Sequence, residues 1–226
     1  MEAYMKFSIH DSVRESKKDC QIGYIMIRDV KVQGTPPSLG QKIFQLQTAI
    51  ANGYNVEELH DLAQLVGMRG LYKGIDFDKK RYNLVSVENV RKTLQNKQIY
   101  YVNSAVTTAN YCSIHFLLPF GLYDLDKIKG DIVYGPPTEE SYLNISGDIS
   151  QTDSNLFLSD MDGVFGSVNA DSRRTAVTLS TRNVLAVVYA NEKIKNDEFN
   201  DILTSASEMI ILYNGGILEK QEIIQI

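Results

Sequence analysis

An α+β fold is predicted for this chain of 226 residues by a change of period along its length. Apolar residues recur at helical spacing through the first half. After about residue 128 the hydrophobic runs become short and β-branched, broken by Gly, Asp, Asn and Ser. A final helical pattern follows. Helices, then strands, then a helix, with no linker-like stretch between them, predict a single domain over residues 1–226.

Each element has a local reason. The run Tyr24-Ile25-Met26-Ile27, within residues 22–32, reads as a buried strand broken by Gly34-Thr35-Pro36-Pro37. Ser38 then N-caps a helix that aligns Leu39, Ile43, Leu46 and Ile50 and stops at Gly53. Asn55 with Glu58 caps a second helix carrying Val56, Leu59, Ala63 and Val66 as far as Gly67. A basic connector from Met68 to Asn83 leads to Ser86, the cap of a third helix with Val87, Val90 and Leu94. The next helix, Asn103 to Leu118, has Val106, Ala109, Ser113 and Phe116 as its core stripe, and Pro119 and Gly121 end it. Strands are expected at 128–134, 156–158, 164–168, 175–181 and 184–189. A helix over 197–213 turns Phe199, Ile202, Ala206, Met209 and Tyr213 inward, and Asn214-Gly215-Gly216 closes it.

Composition excludes several functions. No apolar run approaches the roughly 20 residues that span a bilayer, and residues 1–14 lack an apolar signal core. A cytoplasmic protein without a membrane partner is expected. The formal net charge of −5 argues against a general nucleic-acid coat and against DNA as a partner. Lys79-Lys80-Arg81, Arg91-Lys92 and Arg173-Arg174 are either solvated clusters or, if folding gathers them, a local basic face. Cys20, Cys112 and the scattered His10, His60 and His115 make no metal-ligand pattern. Neither a phosphate loop nor a dinucleotide motif occurs, so no cofactor is expected. Cys112 and His115 share a helical face, as a nucleophile and base would, yet the mid-helix position suits a buried thiol better.

Two clusters carry candidate chemistry. Asn103, Thr107 and Asn110 stand at i, i+4 and i+7, so they share one side of a helix. They are suited to reading an aminoacyl group or adenosine by hydrogen bonds, or they are the wet side of an amphipathic helix. The segment Asp171-Ser172-Arg173-Arg174-Thr175 gathers an acid, two hydroxyls and two guanidinium groups. Arginine there suits a bidentate clamp on phosphate or carboxylate. Asp171 suits an amine or a water, with Ser172 or Thr175 to orient it. The plain alternative is a surface turn. Asp124 and Asp126 read mainly as turn formers.

Four blocks occur in order: Thr107-x-x-Asn110-Tyr111; Pro119 followed by Asp124-Leu125-Asp126-Lys127-Ile128; Leu158-Ser159-Asp160-x-x-Gly163; and Thr181-x-Asn183-Val184-Leu185. On these, residues 81–190 resemble the B3/B4 domain of the phenylalanyl-tRNA synthetase β subunit, with residues 1–80 as a strand-plus-helices extension packed on it. The resemblance implies a B3/B4-like α+β fold, a sheet-rich mixed or antiparallel core with flanking helices. It implies tRNA or aminoacyl-tRNA as the partner, because in that enzyme the domain hydrolyses tRNA charged with the wrong amino acid. Beside the implied editing strand, Asp171 and Thr175 are the expected catalytic residues. Asn103, Thr107, Asn110, Ser172, Arg173 and Arg174 are the expected substrate-binding residues, and Lys79, Lys80, Arg81, Arg91 and Lys92 the RNA-binding ones.

Two positions depart from the family pattern. A histidine implicated in editing falls on Gly121, and a glutamate in the following strand block falls on Val187. The expected function is a tRNA-related RNA-binding protein and trans-editing hydrolase of mischarged aminoacyl-tRNA, since an activated ester needs only a positioned water and polar donors. Loss of both polar groups favours a non-catalytic RNA- or partner-binding module instead. A third reading is an amino-acid or metabolite-binding protein, with Arg173 or Arg174 taking the carboxylate.

Overall fold

Two apolar runs distant in sequence, Cys20–Arg28 and Val184–Asn191, pair to make the centre of the molecule. The computed structural model describes residues 5–16, 20–53, 99–152, 156–191 and 193–225. The helices expected at 55–67 and 86–94, and the basic residues Lys79, Lys80, Arg81, Arg91 and Lys92, lie outside the described residues.

In chain order the elements are β1 (Phe7–Ile9), α1 (Asp11–Ser16), β2 (Cys20–Arg28), α2 (Pro37–Gly53), α3 (Ser104–Phe116) and β3 (Phe120–Asp124). They continue as β4 (Ile132–Gly135), β5 (Ser141–Leu143), β6 (Ile149–Gln151), β7 (Phe157–Asp160) and β8 (Gly163–Gly166). The last three are β9 (Val184–Asn191), α4 (Asn196–Asn214) and β10 (Ile217–Gln225). A central sheet has the order β10-β2-β9-β3, antiparallel throughout. A second sheet, β1-β4-β7-β8, is mixed, because β1 runs parallel to β4. The short hairpin β5-β6 stands apart over a small cluster of Tyr142, Phe157 and Val164.

The period of two along a strand explains the layering. On one face of the central sheet Ile25, Ile27, Ala186, Val188 and Ala190 meet helices α2, α3 and α4. On the other, Ile22, Tyr24, Met26, Leu185, Val187 and Tyr189 meet the second sheet. All eight residues of β9 are therefore buried, and the apolar alternation that marks a half-wet strand is missing from it. Helix α2 buries Leu39, Ile43 and Ile50 as the spacing predicts. Helix α4 instead buries Phe199, Leu203, Ala206 and Ile210, leaving Ile202, Met209 and Tyr213 at the margin of the core.

Three expectations are corrected. Residues 175–181 do not form a strand. A 3₁₀ turn over Arg173–Thr175 is capped by Ser172, and the hydroxyls of Thr178 and Thr181 accept backbone N–H groups further on. These local hydroxyl bonds compete with a ladder, and only Ala176 bridges to Tyr123. Gly121 does not end α3, which stops at Leu117 in a left-handed conformation (φ 56°); Gly121 lies inside β3. In α3, Ala105, Ala109, Tyr111, Cys112 and Ile114 are the core residues and Ser113 is buried, while Val106 and Phe116 are only partly buried.

Glycine at position 23 is a packing requirement, since a Cβ there would lie 2.6 Å from Leu203 Cδ2 on α4. We expect Gly23→Ala to lower unfolding stability by about 1–3 kcal/mol, read from the midpoint shift in urea at constant slope.

Candidate functional site

Tyr123 organises the space between the two sheets. It points from β3 toward the second sheet, where its ring meets Phe165 edge-on at 5.0 Å. It is fully buried, and its hydroxyl donates to Asp171 Oδ1 at 2.7 Å. A Cβ at either Gly121 or Gly166 would collide with the hydroxyl end of this ring. The glycines are thus the cradle into which the phenol lies. The register pairs Gly121 with Val187, and Val187 with Tyr24. Gly121 and Val187, where a family histidine and glutamate are expected, are therefore neighbours in the sheet, on the face that Tyr123 fills.

Asp171 is half-buried, and it accepts this phenolic hydrogen bond in place of water. Burial pushes its carboxyl up to about 7, against hydrogen bonds from Tyr123 and the Ser167 backbone that favour the charged form. Burial and the adjacent Asp171 also push the Tyr123 phenol well up. A carboxyl in this range exchanges its proton at neutral pH, which is what a general base requires.

The neighbouring residues have separate tasks. Ser172 is buried; its Oγ accepts from Arg174 N at 3.2 Å and donates to Leu143 O at 3.4 Å. Thr175 is fully buried, with its hydroxyl on Phe165 O at 3.4 Å. Arg174 makes a fork to Asp160, 2.7 and 3.0 Å, and donates to Lys127 O and Gly163 O. Its guanidinium ties the β7-β8 turn to the turn after β3. Arg173 alone is exposed, and it makes no ion pair among the described residues.

The other predicted cluster lies on the far side of the central sheet. Asn103 is the N-cap of α3, accepting from Val106 N at 2.9 Å. Thr107 is fully buried, bonded to Thr35 Oγ1 at 2.9 Å and accepting from Val102 N. Asn110 is half-buried. Helix α3 packs in the helical layer and Asp171 in the layer between the sheets, so the two sets do not converge. Cys112 is wholly buried and its thiol is pushed up to about 12 by desolvation, which removes it as a nucleophile at neutral pH.

The residues that carry the sequence blocks form a polar belt. Asp124 accepts from Thr181 Oγ1 at 2.7 Å and from Asp126 N, and it pairs with Lys127 at 3.3 Å. Asp126 accepts from Asn183 Nδ2 at 2.7 Å, and Asn183 in turn accepts from Asp29 N. Asp160 takes Arg174 and Lys129 N. The last three blocks thus lock turns to one another, while the first lies in α3. Sequence reasoning missed Tyr123, although it sat inside the signature segment. An aromatic residue two places after a strand glycine was the available signal. Among the described residues no three His, Cys, Asp or Glu groups cluster as metal ligands, and no helix is long and apolar enough to cross a membrane.

Comparison with known proteins agrees with the fold. Residues 74–209 match the family model described as the B3/4 domain. The structure is similar to an N-terminal fragment of the phenylalanyl-tRNA synthetase β subunit from Pyrococcus horikoshii, with a TM-score of 0.51 and 14% sequence identity. That alignment covers 100% of this chain and 55% of the fragment, so the chain spans about half the length of the protein it resembles in fold. No curated protein matches the sequence significantly.

Three outcomes are expected. The carboxyl of Asp171 is raised in the fold from 3.8 to about 7, so the protonated acid is the form the fold favours. Its contribution is complete below about pH 4 and is lost as pH rises through 7. Wild type should therefore lose stability relative to Asp171→Asn between pH 4 and 7, by on the order of 2 kcal/mol once partial solvent access is allowed for. Denaturant melts at stepped pH measure the difference. Arg174→Ala strips the carboxylate of Asp160 of its charged partner and should cost about 3 kcal/mol. Arg173→Ala should stay within about 0.5 kcal/mol of wild type in the same melts.

Proposed function

We propose that this chain, which belongs to the B3/4 domain family, is a tRNA-related binding protein that acts by recognition rather than by hydrolysis. The observation that carries this reading is the filled space at Gly121 and Val187. There the phenol of Tyr123, held by Asp171, occupies room that a polar catalytic side chain and a substrate would need.

The RNA contacts in this reading are drawn from the basic clusters of the sequence. Arg28, Lys127, Lys129, Arg174 and Lys220 are each paired with a carboxylate, at Glu219, Asp124, Asp162, Asp160 and Glu222 respectively. The exposed Arg173 has no such pair among the described residues, and this reading assigns phosphates to it and to Lys79, Lys80, Arg81, Arg91 and Lys92 of the matched region. A fold likeness to a synthetase fragment supports tRNA as the class of partner, and site chemistry decides what is done with it.

A specific observation favours a second reading, hydrolysis of mischarged aminoacyl-tRNA. Asp171 is a carboxyl near neutrality beside the exposed Arg173. In that reading Tyr123 swings away, and the Asp171 carboxylate takes a proton from water as its oxygen attacks the ester carbonyl. The bond to the ribose oxygen then breaks, that oxygen takes the proton back from Asp171, and the amino acid and a free tRNA terminus are released. The buried hydroxyls of Ser172 and Thr175 would hold the turn that positions Asp171, and Asn103, Thr107 and Asn110 would have to act from the helical layer.

One experiment separates the two. Binding of deacylated tRNA should weaken steeply between 50 and 200 mM salt. The combined Lys79→Ala, Lys80→Ala and Arg81→Ala variant should bind more weakly, with a salt slope smaller by about 2–3. In parallel, a panel of labelled aminoacyl-tRNAs should be released no faster than in buffer. Release that Asp171→Asn abolishes would replace the binding reading with the hydrolytic one, and loss of salt-sensitive binding would end both.

A further inference from the structure

A second concavity lies on the opposite side of the β1-β4-β7-β8 sheet from Tyr123. It is a cleft of about 710 Å³ between that sheet's outer face and the loop that follows β4. Its floor is Val133 and Ser159, which face each other in the β4-β7 register. Pro136, Pro137 and Met161 wall it, and Asp131 lies at its rim.

The polar groups at this cleft are unevenly used. Ser159 is only 8% exposed, and its hydroxyl has no hydrogen-bond partner among the described residues. A buried hydroxyl left unpaired is costly, so it is a group that a ligand would satisfy. Asp131 is exposed; one carboxylate oxygen accepts Lys6 N at 3.0 Å and the other is left to the cleft. Asp160, although it lines the cleft, is saturated by Arg174 and Lys129 N. Asp131 stands two residues before Val133, so the strand period puts both on the outer face with Ser159. Besides the Asp160 carboxylate paired with Arg174, the lining has the Asp131 carboxylate and His10 and neither lysine nor arginine, which disfavours an anion.

We propose that this cleft binds a small organic ammonium ion with an apolar body. The ammonium donates to the Asp131 carboxylate and to Ser159 Oγ, three donors being available on such a group. The body packs on Val133, the two prolines and Met161. Apolar lining with few convergent polar groups is the general character of small-molecule sites. The inference is independent of the RNA reading, because the cleft opens away from Gly121 and Val187 and its acidic rim repels phosphate.

The test uses protonated phenethylamine as the probe and phenylacetate as its anionic control, with the whole chain labelled at methionine methyls and backbone amides. Phenethylamine should shift the resonances of Met161 and Val133 saturably at millimolar concentration, while phenylacetate leaves them in place. Asp131→Asn should weaken binding by about fivefold or more, and Ser159→Ala should weaken it also, each with an otherwise unchanged amide spectrum. Absence of shifts at about 10 mM probe, equal shifts with phenylacetate, or unchanged affinity in both variants would overturn the assignment.

Discussion

The rest of the structure depends on burying both faces of β9. Its eight residues have no wet side, so helices must cover one face and a second sheet the other. That demand sets the order of layers and explains why β2, with a similar run of apolar residues, is its neighbour. Burial of apolar surface on this scale is the dominant favourable term in folding. It also fixes register, because a one-residue slip would exchange the helix-facing and sheet-facing sets. Gly23 shows how closely the helical layer is drawn in, since a Cβ there would press on the side-chain ends of Leu203 and Phe199.

Within that frame, the space between the sheets is where function and packing compete. Tyr123 takes the room that two glycines release and anchors its hydroxyl on Asp171. The pair is a closed arrangement: the phenol is desolvated, the carboxyl is drawn toward neutrality, and each accounts for the other's polar atom. The layer around Gly121 and Val187 is core.

The blocks that identify the family have a different meaning from the one their order suggests. Asp124, Asp126, Asp160, Thr181 and Asn183 bond to one another's turns rather than converging on a substrate. They hold β3, the β7-β8 turn and the entry to β9 in a single frame. Their bonds are spent on holding turns, so in this chain they are parts of the frame. The chemistry of a site must be argued from other positions.

The sequence by itself determined the α+β class, the helices α2, α3 and α4 to within a few residues, the strands β2 and β9, and the family. These rest on local periodicity and caps, such as Asn103 at the start of α3, which are written in neighbouring residues. Tertiary structure alone decided that Gly121 belongs to a strand, that residues 175–181 form turns, and that Arg174 is committed to Asp160 while Arg173 is exposed. It also separated Asn103 and Thr107 from Asp171 by the thickness of a sheet. The reason is physical: which face a residue takes, and which partner claims its charge, is settled by contacts between segments far apart in the chain, and no local pattern encodes them.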